Sequence, residues 1–149
     1  MEGDETALSN SVHFESHLGE FENALPEKLE KAMREIGMNA ETAAKQLAPY
    51  DTGLLRNSIT YAISGQGAAT PNYSADNGGG SGSYSGTAPG GSKDEVSLYL
   101  GTNVEYAPYI ELGHTSRGGK KIPAHEFIRP AIEDHIGEYK RIIEAELKR

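Results

Sequence analysis

The sequence predicts an α+β domain in which an N-terminal and a C-terminal amphipathic helix pack on a small antiparallel sheet. Apolar residues recur in steps of three and four near both ends of the chain, the period of a helix with one buried face. Two short runs between them alternate with period 2, as half-buried strands do. The runs are separated by a long Gly/Ser-rich stretch, so the central hairpin they form carries an expanded loop. At 149 residues the chain is long enough for one domain, 1–149, with its own core.

Residues 1–19 are polar at their start and read as a mobile N-terminus. The first stripe runs through Phe21, Leu25, Leu29, Met33, Ile36, Ala40, Ala43 or Ala44, and Leu47. Pro26 suits a first helical turn, and Pro49 ends the helix. Asp51-Thr52-Gly53 is turn chemistry, with the Asp side chain able to bond local backbone N–H groups. Ile59, Tyr61 and Ile63 then alternate with Ser58, Thr60 and Ala62, predicting a strand at roughly 57–64. From Gly65 to Ser92 the composition turns to Gly, Ser, Ala, Asn, Thr and Pro, with Tyr73 and Tyr84 as the large side chains. Such a stretch buries too little apolar surface to offset its ordering entropy, so 65–92 reads as a flexible loop insertion. It is either a tolerated surface insertion or a segment that orders against a neighbouring subunit, anchored by its two tyrosines.

Val96, Leu98 and Leu100 alternate with Ser97 and Tyr99 and predict the second strand, ending at Gly101. Tyr106 to Gly113 reads as a short helical turn closed by glycine. A flexible loop, His114 to Lys121, follows. The second long stripe comprises Phe127, Ile128, Ala131, Ile132, Ile136, Tyr139, Ile143 and Leu147, with Pro130 in its first turn and cations near its end.

Composition excludes several functions. The chain has no cysteine, which removes thiol nucleophiles, disulfides and cysteine-based metal sites. Its net charge of −8 opposes free-standing nucleic-acid binding, where a basic footprint supplies the affinity. The local basic cluster is Arg117, Lys120 and Lys121, a solvated loop or a contact for an acidic partner. No stretch has the length of a membrane span. His13 and His17 would share a helical face if that region were helical, but no third ligand converges on them. No GxSxG elbow and no phosphate-binding loop occurs, and the neighbouring carboxylates read as a solvated acidic face. No catalytic residue, cofactor site or metal site is expected, and the chain is not expected to be an enzyme.

What remains is aromatic and polar. Tyr50, Tyr106 and Tyr109 are rigid amphipathic side chains of the kind enriched at protein interfaces. Arg56 and Arg129 suit bidentate pairing with carboxylates, within the fold or across a subunit boundary. With Asp51, Tyr73, Tyr84 and Glu111 they make up the candidate interface residues.

Three blocks in a fixed order carry a resemblance: PYDTGLLRNSI at 49–59, GTNVEYAPYIELG at 101–113 and IPAHEFIRPAI at 122–132. Set between two amphipathic helices, over roughly residues 20–149, they resemble the HK97 gp10-like family of tailed-phage neck or tail-completion proteins. The third block departs slightly: the family reads closer to Pro-Phe-Leu-Arg-Pro-Ala where this chain has Glu126 to Ala131. The larger departure is the 65–92 expansion, since family members generally have a short hairpin there. The resemblance implies a structural virion protein that joins the DNA-filled head to the tail. It implies a homo-oligomeric ring, commonly a hexamer, with a head-closure or adaptor protein on one side and a tail terminator or tail-tube protein on the other. Head-closure and tail-terminator roles are neighbouring readings, and a soluble binding module outside virions is a more distant one. Phage DNA would pass through such a ring without sequence-specific binding. The location implied is the neck of the virion, reached from the host cytoplasm during assembly, with no membrane partner.

Overall fold

The computed structural model of the chain describes residues 12–17, 25–91 and 95–148. Strand β1 (Val12–His17) comes first, followed by helix α1 (Leu25–Leu47) and a short helix α2 (Leu54–Ser58). Next are strands β2 (Thr60–Ile63), β3 (Asn72–Ser74), β4 (Ser81–Ser83) and β5 (Glu95–Gly101). Helix α3 (Ala107–Leu112), strands β6 (His114–Thr115) and β7 (Lys121–Ile122), and helices α4 (Arg129–Glu133) and α5 (Ile136–Leu147) complete the fold. The architecture is α+β, with N- and C-terminal helices and small antiparallel sheets.

The main sheet has the order β1-β5-β2, antiparallel throughout. Thr60 stands opposite Gly101 and Ile63 opposite Leu98, so the two predicted strands do pair. The third strand was not foreseen. Residues 12–17 fall in the segment read as a mobile N-terminus, yet they pair along β5 from Val12–Leu100 to His17–Glu95. The His13 and His17 spacing is therefore set on a strand and makes no helical face. Phe21, the first residue of the predicted helical stripe, lies outside the described residues.

Helix α1 buries Leu29, Ala32, Met33, Ile36, Ala40 and Ala44 against the sheet and against α4 and α5. Its last turn differs from the expected stripe. Ala48 is buried, while Leu47 points outward. The C-terminal stripe also differs, because one predicted helix is two. Breaking it, the His135 N–H donates to the Ile132 carbonyl and not to that of Ala131. The Tyr139 hydroxyl, fully buried, donates to the freed Ala131 carbonyl at 2.6 Å. A phenol thus satisfies the acceptor that the break exposes. Lys31 on α1 pairs with the buried Glu146 carboxylate on α5 at 3.4 Å.

The predicted strand at 57–64 starts later, at Thr60. Leu54 to Ser58 forms α2 instead, because Gly53 takes a left-handed conformation (φ 86°) that turns the chain straight into a helix. A Cβ at that position would collide with the Asp76 carboxylate. The turn's local side-chain bond comes from Thr52, whose Oγ1 accepts from the Leu54 N–H at 3.2 Å, and not from Asp51.

Residues 65–91 are not structureless. They hold the β3–β4 hairpin, and Ala75 and Ala88 are buried. The reason is hydrogen bonding where apolar burial is scarce. The Ala69 N–H donates to Tyr61 O, the Gln66 N–H to Ile63 O, and the Thr70 N–H to Thr60 Oγ1. The insertion therefore lies along the outer edge of β2. The expected loop at 114–121 is likewise a small hairpin, β6–β7.

Candidate assembly surface

Residues 101–113 divide into an inner and an outer side. On the inner side Thr102 is buried, with its Oγ1 2.5 Å from Ser58 Oγ and accepting from the Val104 N–H. The Ser58 hydroxyl also contacts the Leu55 carbonyl, closing the end of α2. Asn103 next to it gathers the insertion. Its N–H donates to the Tyr84 hydroxyl, its Nδ2 donates to Ser83 O, and its Oδ1 accepts from the Tyr73 hydroxyl at 2.5 Å. The Tyr84 hydroxyl in turn donates to Ser58 O at 2.7 Å. Burial pushes the Tyr84 phenol up to about 12.

Glu111, on α3, reaches the start of α4. Its two carboxylate oxygens accept from the backbone N–H groups of Phe127, Ile128 and Arg129, at 2.9, 3.0 and 3.1 Å. These are unpaired donors of a helix start, and a carboxylate is the strongest side-chain acceptor for them. Gly113 closes α3 at φ 75°, as the sequence predicts, and leaves no room for a side chain against Ile122 and Ala124. The three sequence blocks are thus joined: the first to the second through Ser58 and Thr102, the second to the third through Glu111.

The outer side is aromatic. Of the six large apolar side chains exposed among the described residues, all except Met38 belong to one region: Leu47, Tyr50, Tyr106, Tyr109 and Leu112. Tyr109 is 58% exposed and Leu112 68%. The His125 Nε2 lies 3.0 Å from the Leu47 carbonyl, and the His125 N–H donates to Ile110 O, tying the end of α1 to α3. Between α3 and the 49–55 turn lies a groove of about 400 Å³, lined by Pro49, Tyr50, Asp51, Leu54, Tyr106 and Ile110. The Tyr50 hydroxyl donates to Asp76 Oδ2 at 2.6 Å, and Asn57 Nδ2 donates to Asp76 Oδ1. These two bonds hold the Asp76 carboxyl below its ordinary range. The Arg56 guanidinium sits 4.9 Å from the Tyr50 ring centroid and donates to Ala48 O.

The nine candidate residues therefore separate. Tyr50, Asp51, Tyr106 and Tyr109 stand together on the outer side. Tyr73 and Tyr84 hold the insertion to its own chain through Asn103 and Ser58. Glu111 is committed to the α4 backbone and Arg56 to the 48–50 turn. Arg129 is exposed and lies at 4.0 Å from the Glu126 carboxylate. Leu47, Leu112, Thr102, Asn103 and Asp76 were not singled out. Asp76 carried a signal, being the one charged residue between Gly65 and Gly91. Among the described residues no cluster of three or more His, Cys, Asp or Glu side chains is placed to hold a metal ion, and no helix is long and apolar enough to cross a membrane.

Hydrogen-bonded Thr102, Asn103 and Glu111 on the inner side, with aromatic rings presented outside, are the build of a structural subunit. The chain belongs to the HK97-gp10-like family, whose model, described as "Bacteriophage HK97-gp10, putative tail-component", matches residues 13–113. It is therefore a structural protein related to phage tails. The match begins within β1 and ends at Gly113, so it takes in all of the main sheet except Val12 and leaves the third sequence block outside. No curated protein and no solved structure matches the chain significantly.

Proposed function

We propose that this chain is a tail-completion or neck connector protein, a ring of identical subunits joining the DNA-filled head to the tail. Family membership supports a tail-related structural role. The observation that carries the reading further is the exposure of Leu47 and Tyr50 at and just beyond the end of α1, and of Tyr106, Tyr109 and Leu112 along α3, with a groove between Tyr50 and Tyr106. Exposed apolar and aromatic side chains gathered on neighbouring elements of a folded subunit mark a protein–protein contact. A ring requires two different patches per subunit that meet head to tail. This face is one of them, with a head-closure or adaptor protein above the ring and a tail terminator or tail-tube protein below. The net charge of −8 suits a lumen through which DNA slides without being held. Deletion of the gene tests the role. Filled heads and finished tails that fail to join are expected, and normal virions from the deletion strain would refute it.

A further inference from the structure

The β6–β7 hairpin meets α3 at its base, where His114 contacts Tyr109, and its turn stands exposed. The Ser116 N–H donates to Lys120 O at 2.8 Å, the Gly119 N–H returns to Ser116 O at 2.9 Å, and the Lys120 N–H donates to Ser116 Oγ. These three bonds close a tight turn that presents Arg117 at its tip. Arg117, Lys120 and Lys121 are exposed and form no ion pair among the described residues. No acidic residue lies between His114 and Lys121. A pre-ordered tip gives up little conformational freedom when it docks.

The groove beside α3 has the complementary chemistry. Two tyrosine rings, Tyr50 and Tyr106, flank it, Asp51 lines it, and the Asp76 carboxylate is bonded to the Tyr50 hydroxyl at its rim. Glu105, next to Tyr106, is exposed. The Arg56 guanidinium already lies 4.9 Å from the Tyr50 ring centroid, so the receptor for an incoming guanidinium is the exposed Tyr106 ring with Asp51 and Glu105, by cation–π contact and charge-assisted hydrogen bonding. The overall charge of −8 makes identical copies repel at long range, so a specific contact between them needs a local patch of the opposite sign.

We infer that the groove formed by Tyr50, Asp51 and Tyr106 receives the Arg117 tip of a second copy of this chain. The inference rests on the assembly role proposed above and names its two patches, tip and groove. Each copy offers one of each, so the contact repeats from subunit to subunit.

The absence of cysteine gives a clean background for cross-linking the purified full-length protein. Gly118, beside the tip, has open space around it, and Thr52 lines the groove. The double variant Gly118→Cys, Thr52→Cys should form intermolecular disulfides about tenfold faster than Gly118→Cys paired with the exposed Glu144→Cys, reflecting local concentration. The products should form a ladder beyond the dimer. Added salt should slow the reaction, Arg117→Glu should abolish the advantage, and the further change Asp51→Arg should restore it. A rate equal to the control, a rate indifferent to charge reversal, or products that stop at the dimer would overturn the inference. Because the assay needs no virion, its failure alongside a head–tail joining defect removes this contact and leaves the virion role. A normal deletion strain removes the role whatever the cross-link shows.

Discussion

Two pairs of tyrosines lie on opposite sides of residues 101–113 and have opposite fates. Tyr73 and Tyr84 turn inward, their rings 5.8 Å apart and both hydroxyls bonded to Asn103 or Ser58. Tyr106 and Tyr109 turn outward, and the Tyr109 ring meets that of His114 in an edge contact with centroids 5.6 Å apart. The same side chain serves as an internal clamp in one place and as exposed contact surface in the other. What decides between them is whether a polar group nearby needs a partner. Asn103 and Ser58 need one, while the outward turns of α3 do not.

The comparison breaks most severely on the inner side, at Glu111. Glu111→Ala leaves three helix-start N–H groups without their carboxylate and should cost roughly 3 kcal/mol in denaturant unfolding. Glu111→Gln should cost less, since it keeps the acceptor but not the charge. Tyr84→Phe removes a donor to Ser58 and an acceptor for Asn103, and should cost about 1–2 kcal/mol by the same measurement. The alkaline limb of stability sharpens the contrast. Burial raises the Tyr84 and Tyr139 phenols from 10.0 to about 12 in the folded chain. A raised folded pKa means that the neutral form is the one the fold stabilises. That stability is complete below pH 10 and is lost as pH climbs through about 12. Tm should therefore fall steeply across this window. Tyr84→Phe should flatten the fall. The smallest effect on stability belongs to the outer pair. Tyr109→Ala should shift unfolding by no more than about 0.5 kcal/mol. Yet in a complementation assay it should impair head–tail joining, and full joining by this variant would remove Tyr109 from the contact.

How far the sequence could be read depended on the length over which a pattern repeats. Helix α1 spans 23 residues, and its period of 3.6 is unmistakable. β2 and β5 show alternation and were placed to within a few residues. Helix α2 has five residues, too few for a period to appear, and its Ser58 was absorbed into the strand that follows. β1 carries alternation that polar residues dilute, so it passed for part of a tail. The break at His135 leaves the apolar stripe of the C-terminal region intact, because α4 and α5 bury the same side of the chain. The insertion misled for a different reason: composition reports apolar burial, and this segment is held by backbone hydrogen bonds and two phenols. Of the candidate surface, the tyrosines of 101–113 were legible as residues that the core did not need. That Glu111 belongs to the inner side was not, since a carboxylate facing three N–H groups arises only when α3 and the start of α4 are brought together.

The insertion along β2 has a consequence for how copies can add to one another. Tyr61 and Ile63, two residues apart on the same edge, already receive the N–H groups of Ala69 and Gln66. An incoming strand finds those carbonyls taken. Among the described residues the sheet is then open only beyond β1. A sheet with one open edge can join another such sheet once, edge to edge, and the resulting pair has no edge left to extend. Fibrillar growth through the main sheet needs two open edges per copy, and among the described residues that sheet offers one.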